Sequence, residues 1–175
     1  MVNETAWTPL DPDEYKRAWD GFYDTFTFTP SVRPESFPGI EEPVPSVTYD
    51  LSPIFSAGPE TFARAEGSVR DTVLRGLRAI TATDQPLVAL DWQHPCYWFW
   101  PHVLDRPEDP DEWRIPVFPN GDYYIFPTTT MDQGVVGHPW EQTLCIWGPE
   151  LLRIIDDERC PELGHVSRRD GQPPR

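Results

Sequence analysis

Lysine is almost missing from this chain. Lys16 is the only one, and 14 basic side chains face 29 acidic ones, for a formal charge of −15. Such a surface repels phosphate backbones and anionic headgroups, which sets aside nucleic acid and membrane surfaces as partners. No glycine-rich phosphate loop and no dinucleotide fingerprint occurs, so no cofactor is expected. The cysteines, Cys96, Cys145 and Cys160, are odd in number and none stand in C-x-x-C spacing. A disulfide framework and a standard zinc site are therefore not expected, and the thiols read as reduced. No apolar run is long enough to cross a bilayer. The opening residues, MVNETAWTPLDPDEYKRAWD, lack the apolar core of a secretory leader. These absences point to a cytoplasmic protein.

What is plentiful is proline and tryptophan, 22 and eight of them in 175 residues. The prolines form no repeat and punctuate short apolar runs. The length suits a single domain with its own core. We place that domain at 1–160 and read 161–175 as a polar, flexible tail.

DPDEYKRAWDGFYDTF starts a helix, with Asp11 as N-cap, Pro12 in the first turn, Glu14 at the capping-box position and an aromatic face of Tyr15, Trp19, Phe22 and Phe26. A proline-rich loop anchored by Phe37 and Ile40 leads to SVTYDL, which alternates like a half-buried strand. A helix from Pro59 to Ile80 carries the stripe Phe62, Ala65, Val69, Val73, Leu77 and Ile80. PLVALDW and CYWFW read as strands, and Asn120-Gly121 within RIPVFPNGDYYIF predicts a type I′ hairpin. EQTLCIW is the last expected strand, and PELLRIID a terminal helix. Grouped strands with short turns predict an α+β fold: a single, mainly antiparallel sheet of about five or six strands, with helices packed on one face.

Chemistry concentrates in three polar-aromatic knots, DWQHPCYWFWPH, FPNGDYY and GHPWEQTLCIWG. His94, His138, Asp91, Asp122 and Glu141 are the acid–base candidates, because two imidazoles flanked by carboxylates could share a substrate proton. That use requires His94 and His138 to converge in a pocket lined by Trp92, Trp140 and Tyr123. Cys96 beside His138 is a weaker nucleophile pair, since free cysteines are mostly buried. His94, Cys96 and His102, joined by His138 or Asp122, match no zinc spacing, so no metal site is assigned. In CYWFW, Tyr97 and Phe99 face one way and Cys96, Trp98 and Trp100 the other, so one face is core and the other a place for a ligand or partner. Trp92, Gln93, Trp98, Tyr123 and Trp140 are the binding candidates, tryptophan and tyrosine being common interface anchors.

The segments FTPS, FPGIEEPVPSVTYDLS, LDWQHPCYWFWPH, VFPNGDYYIF and GHPWEQTLCIWGPELL, in this order, resemble the bacterial family known as domain of unknown function 2716. The resemblance runs from about Trp19 to Leu152 and implies a small cytoplasmic bacterial protein. It brings no activity and marks neither His94 nor His138 as catalytic. Two functions follow from the residues. One is a non-enzymatic, immunity-like or regulatory binding module for a basic protein partner. The other is a small cofactor-independent hydrolase or lyase using His94 and His138 as acid and base, for which a small-molecule ligand stays open.

Overall fold

The computed structural model describes residues 4–174. In chain order the elements are β1 (Trp7–Pro9), α1 (Pro12–Thr25), β2 (Ser46–Asp50), α2 (Ser52–Phe55), α3 (Pro59–Ile80), β3 (Leu87–Asp91), β4 (Tyr97–Phe99), β5 (Tyr124–Pro127), β6 (Gly134–His138), β7 (Thr143–Trp147), α4 (Pro149–Glu158) and β8 (Val166–Arg169). The strands form one open sheet of eight, in the order β1-β4-β3-β5-β6-β7-β2-β8. Every neighbouring pair is antiparallel.

α1 forms as its sequence dictates. Asp11 Oδ1 accepts from the Glu14 amide at 2.8 Å and Glu14 Oε2 from the Asp11 amide at 2.9 Å, so two otherwise orphaned donors are satisfied. Glu14 Oε1 also accepts from Trp98 Nε1 at 3.1 Å, which ties the helix to β4.

The expected sheet of five or six strands with helices on one face is corrected in both respects. α3 and α4 cover one face, packing Val69, Val73, Leu77, Leu151 and Ile155 against Tyr49, Leu87, Phe99, Phe126, Leu144 and Ile146. α1 covers the other, packing Trp19, Phe22 and Phe26, with Phe28 and Ile40 of the following loop, against Val88, Leu90, Ile125, Val136 and Cys145. Burial on both sides explains why PLVALDW and TLCIW are continuous apolar runs rather than alternating ones. It also buries Ser46 and Thr48, the polar positions of the strand expected to be half-buried. α3 and α4 come together at Gly76, where a Cβ would lie 2.8 Å from Leu151 Cδ1 and 2.9 Å from Ile155 Cδ1.

The Asn120-Gly121 hairpin does not form. Neither residue is among those with positive φ, which a type I′ turn requires at both centres. Pro116 and Pro119 remove two ladder donors. Ile115, Val117 and Phe118 are instead buried in the α3-side core without strand pairing. β5 is already bonded to β3 and β6 along both edges.

The segment read as a polar tail contains β8, which pairs with β2. Arg168 reaches inward from it. Its Nε and Nη2 donate to Glu42 Oε1 at 3.0 and 2.8 Å, and its Nη1 and Nη2 to Glu141 Oε1 and Oε2 at 2.7 and 2.8 Å. Thr48 Oγ1 donates to Glu42 and Thr143 Oγ1 to Glu141, both at 2.8 Å. Burial opposes the charge on Arg168, but hydrogen bonds to Glu141 and Glu42 outweigh it and hold its pKa above the usual value. Removing Arg168 leaves two largely covered carboxylates with their threonine hydroxyls but no opposite charge. Arg168→Ala should therefore lower the urea-unfolding free energy by about 3–5 kcal/mol, while Arg169→Ala, at an exposed neighbour, changes it by less than about 0.5 kcal/mol.

Candidate functional site

The turn after β3 places the first group. Gln93 takes a left-handed φ of 64° and the His94 amide donates to the Asp91 carbonyl at 3.2 Å, so the chain folds back on itself. The fold-back brings His94 Nδ1 to 3.0 Å from Asp91 Oδ1 and 3.5 Å from Asp122 Oδ2. His94 is exposed while both carboxylates are largely covered, with 18% and 17% of their side-chain surface open. Burial raises the pKa of Asp91, with His94 opposing and Asp122 adding. The hydrogen bond and charge of Asp91 raise the pKa of His94. With Nδ1 held by the carboxylate, Nε2 is the ring nitrogen left to meet solvent.

These three residues are the set among the described residues whose donor atoms could hold a metal ion, all lying within 4.8 Å of one another. One imidazole and two carboxylates would suit a small divalent cation. The hydrogen bond from His94 to Asp91 and the charge contact with Asp122 account for the same geometry. The set examined in the sequence does not assemble. Cys96 is buried, with Sγ 3.5 Å from the Asp91 amide, and His102 Nε2 donates to the Thr81 carbonyl at 2.9 Å.

His138 is placed quite differently. It ends β6, is 4% exposed, and both ring nitrogens are engaged within the fold. Nδ1 accepts from the Glu141 amide at 3.1 Å, so the proton sits on Nε2, which donates to Tyr123 Oη at 3.1 Å. Tyr123 Oη in turn donates to the Ser31 carbonyl at 2.8 Å and accepts from the Ser31 amide at 3.0 Å. Phe37 packs edge-on to the imidazole at 4.5 Å. Burial pulls the pKa of His138 down to about 4; Glu141 opposes the shift and Arg168 adds to it. Burial raises Glu141, but hydrogen bonds from Arg168 and Thr143 more than reverse this.

The candidates thus divide. Asp91, His94 and Asp122 come together at one end of the sheet. His138 and Glu141 belong to the buried network beneath, so the two histidines do not converge on a shared pocket. Tyr123 is 1% exposed and supports the surface from below. Trp92 and Trp140 flank its ring at 6.2 and 5.3 Å. Gln93 is exposed beside them. Trp98 lies apart, on the α1 side with Glu14. Residues on both faces of β4 pack into core, Phe99 and Tyr97 on the α3 side and Cys96 and Trp98 on the α1 side, with Tyr97 and Trp98 only half-buried. The cysteines are not activated thiols. Burial pushes Cys145 up to about 12 and also raises Cys96 and Cys160.

Ser31, Glu42 and Arg168 were not singled out from the sequence. Ser31 lies in the FTPS segment and Glu42 in FPGIEEPVPSVTYDLS, but neither carries a local pattern that marks it, and Arg168 sits in the polar stretch VSRRD.

Comparison with known proteins agrees with the resemblance. The model of the family DUF2716, proteins of unknown function, matches residues 9–152. An uncharacterized protein of Bacillus subtilis (strain 168), YxiI, is 31% identical over 154 residues, covering 87% of this chain and 93% of that protein. No solved structure matches. No helix among the described residues is long and apolar enough to cross a membrane.

The depressed pKa of His138 has a definite sign. The unfolded imidazole binds its proton near pH 6.5, whereas the folded one does so near 4. Stability from the buried neutral ring is full above pH 6.5 and is lost as pH falls toward 4. Between pH 7 and 5 this group alone should cost about 2 kcal/mol. His138→Gln can still donate to Tyr123 Oη and should show a correspondingly smaller loss. Urea unfolding of both proteins at the two pH values checks this, and equal losses would contradict it.

Proposed function

The chain belongs to the DUF2716 family, whose function is open, and from its own geometry we propose that it is a non-enzymatic binding module for a basic protein partner. The observation that carries this reading is Trp140. Of the tryptophans among the described residues it is the exposed one, at 39%. It rests on the buried Tyr123 ring rather than on mobile surface. An aromatic ring that is open on one side and rigidly backed on the other is what an interface anchor needs. Trp92 flanks the same ring, and the Asp91 and Asp122 carboxylates lie at the same end of the sheet. Within a chain of formal charge −15, they favour a lysine- or arginine-rich surface and speed its approach. A cytoplasmic immunity-like or regulatory role fits such a module.

A second reading, a cofactor-independent hydrolase or lyase, is favoured by the Asp91–His94 pair, whose 3.0 Å hydrogen bond orients the imidazole as a general base is oriented. It lacks the second histidine first assigned to it, because both nitrogens of His138 are engaged inside the fold.

A pull-down from bacterial lysate with wild-type and Trp140→Ala baits decides between them. It is run at about 0.1 M and about 1 M salt, where the screening length falls from roughly 10 to 3 Å. The binding reading expects a stoichiometric basic protein, retained by wild type at low salt and depleted about tenfold by either the substitution or high salt. An identical set of proteins on both baits contradicts it. A hydrolytic activity abolished by His94→Ala would establish the second reading.

A further inference from the structure

The stretch that fails to make its hairpin leaves a cavity in the fold. Between α3 and residues 110–120 lies a hollow of about 190 Å³, whose apolar wall includes Trp113, Pro116, Val117 and Phe118. Val117 and Phe118 are each 1% exposed and fix the wall in the core. The Trp113 ring is held by Phe99 at 5.7 Å and Trp7 at 5.9 Å. Its indole N–H is already committed to the Pro107 carbonyl at 2.9 Å, and proline has no N–H to give. The polar chemistry at the rim therefore falls to three side chains, Glu66 and Arg70 of α3 and Asn120.

Of these, Glu66 has unspent capacity. Its carboxylate is half-buried, and burial raises its pKa against the pull of Arg70. The hydrogen bond it accepts from Asn120 Nδ2 is 3.4 Å long, beyond the range of a strong one. Arg70 is turned to its other neighbour, with Nε and Nη2 at 2.9 and 2.8 Å from Asp71 Oδ1. With the Arg70 charge met by Asp71, an apolar recess with an under-used carboxylate at its rim, in a protein of strongly negative charge, favours a small organic cation over an anion. The volume is below the roughly 300 Å³ at which drug-sized pockets begin, so it fits a single ring or a short branched chain.

We infer that this cavity binds a compact monocyclic amine, with its ring against Trp113 and Pro116 and its ammonium on Glu66. The site is separate from the Trp140 surface and does not depend on the reading given to that surface. It also gives a use to the FPNG segment, whose Phe118 anchors the wall and whose Asn120 lies at the rim beside the carboxylate.

The test is a two-dimensional amide NMR titration of the full chain with benzylamine, benzyl alcohol and benzoate, three probes of one shape and different charge. Benzylamine should give saturable shifts at the Trp113 indole N–H, the Asn120 side-chain amide and the Gly67 amide. Benzyl alcohol should bind more weakly, and benzoate should not bind. Glu66→Gln should weaken benzylamine by about tenfold, the loss expected when a charge-assisted hydrogen bond is removed. The ranking of the three probes on unaltered protein stands without the variant. The inference is overturned by no saturable shift, by shifts mapping elsewhere, by benzoate binding as well as benzylamine, or by a folded Glu66→Gln protein that binds benzylamine unchanged.

Discussion

The buried hydrogen bond from His138 Nε2 to Tyr123 Oη is the joint through which distant parts of this molecule hold one another. On one side, Tyr123 grips both backbone groups of Ser31, and so fixes the long proline-rich loop. On the other, His138 takes the Glu141 amide, whose carboxylate grips Arg168 of β8, and Arg168 in turn grips Glu42 of the same loop. The polar path therefore closes on itself, running from loop to sheet interior to the last strand and back. In a medium of low polarity each such bond is strong and each missing partner is costly, so the set behaves as a unit. The imidazole must stay neutral for it to hold, because only then can Nδ1 accept while Nε2 donates.

On the proposed binding reading, this arrangement matters because it backs the surface that lies above it. Trp140 follows His138 by two residues and rests on the same Tyr123 ring. Trp92 leans on it from the next strand over, and the Trp92 amide donates to the Tyr123 carbonyl at 3.3 Å. A surface backed in this way loses little side-chain freedom on binding, which is a large part of what association costs. The buried histidine is thus a supporting residue, while the exposed one, His94, sits with its two acids where a partner could meet it. The cavity beside α3 is a separate feature, made by chain that was excluded from the sheet.

Much of the framework was legible in the sequence. Capping chemistry and helical spacing located α1 and α3, and apolar runs located β3 and β7. The misses have physical causes. β6 is written GVVGH, and glycine argues against a strand, but here it is required: a Cβ at Gly134 would lie 2.5 Å from the Phe126 carbonyl oxygen and 2.8 Å from the Trp147 ring. β8 has no apolar alternation, because Arg168 is drawn inward by two carboxylates distant in sequence. Asn-Gly read as a turn on local preference, which flanking prolines and the core positions of Val117 and Phe118 override. At the site, Asp91, His94 and Asp122 could be named individually. Nothing local could say that His94 would join them while His138 was taken into the interior.

The most direct test of this account is nitrogen NMR of the histidine rings, following His138 from pH 7 to pH 5. The account predicts a neutral ring with the proton on Nε2 at both values. A ring protonated on Nδ1, or one that titrates near pH 6.5 like a free imidazole, would mean that the Tyr123–His138 joint does not hold the molecule together.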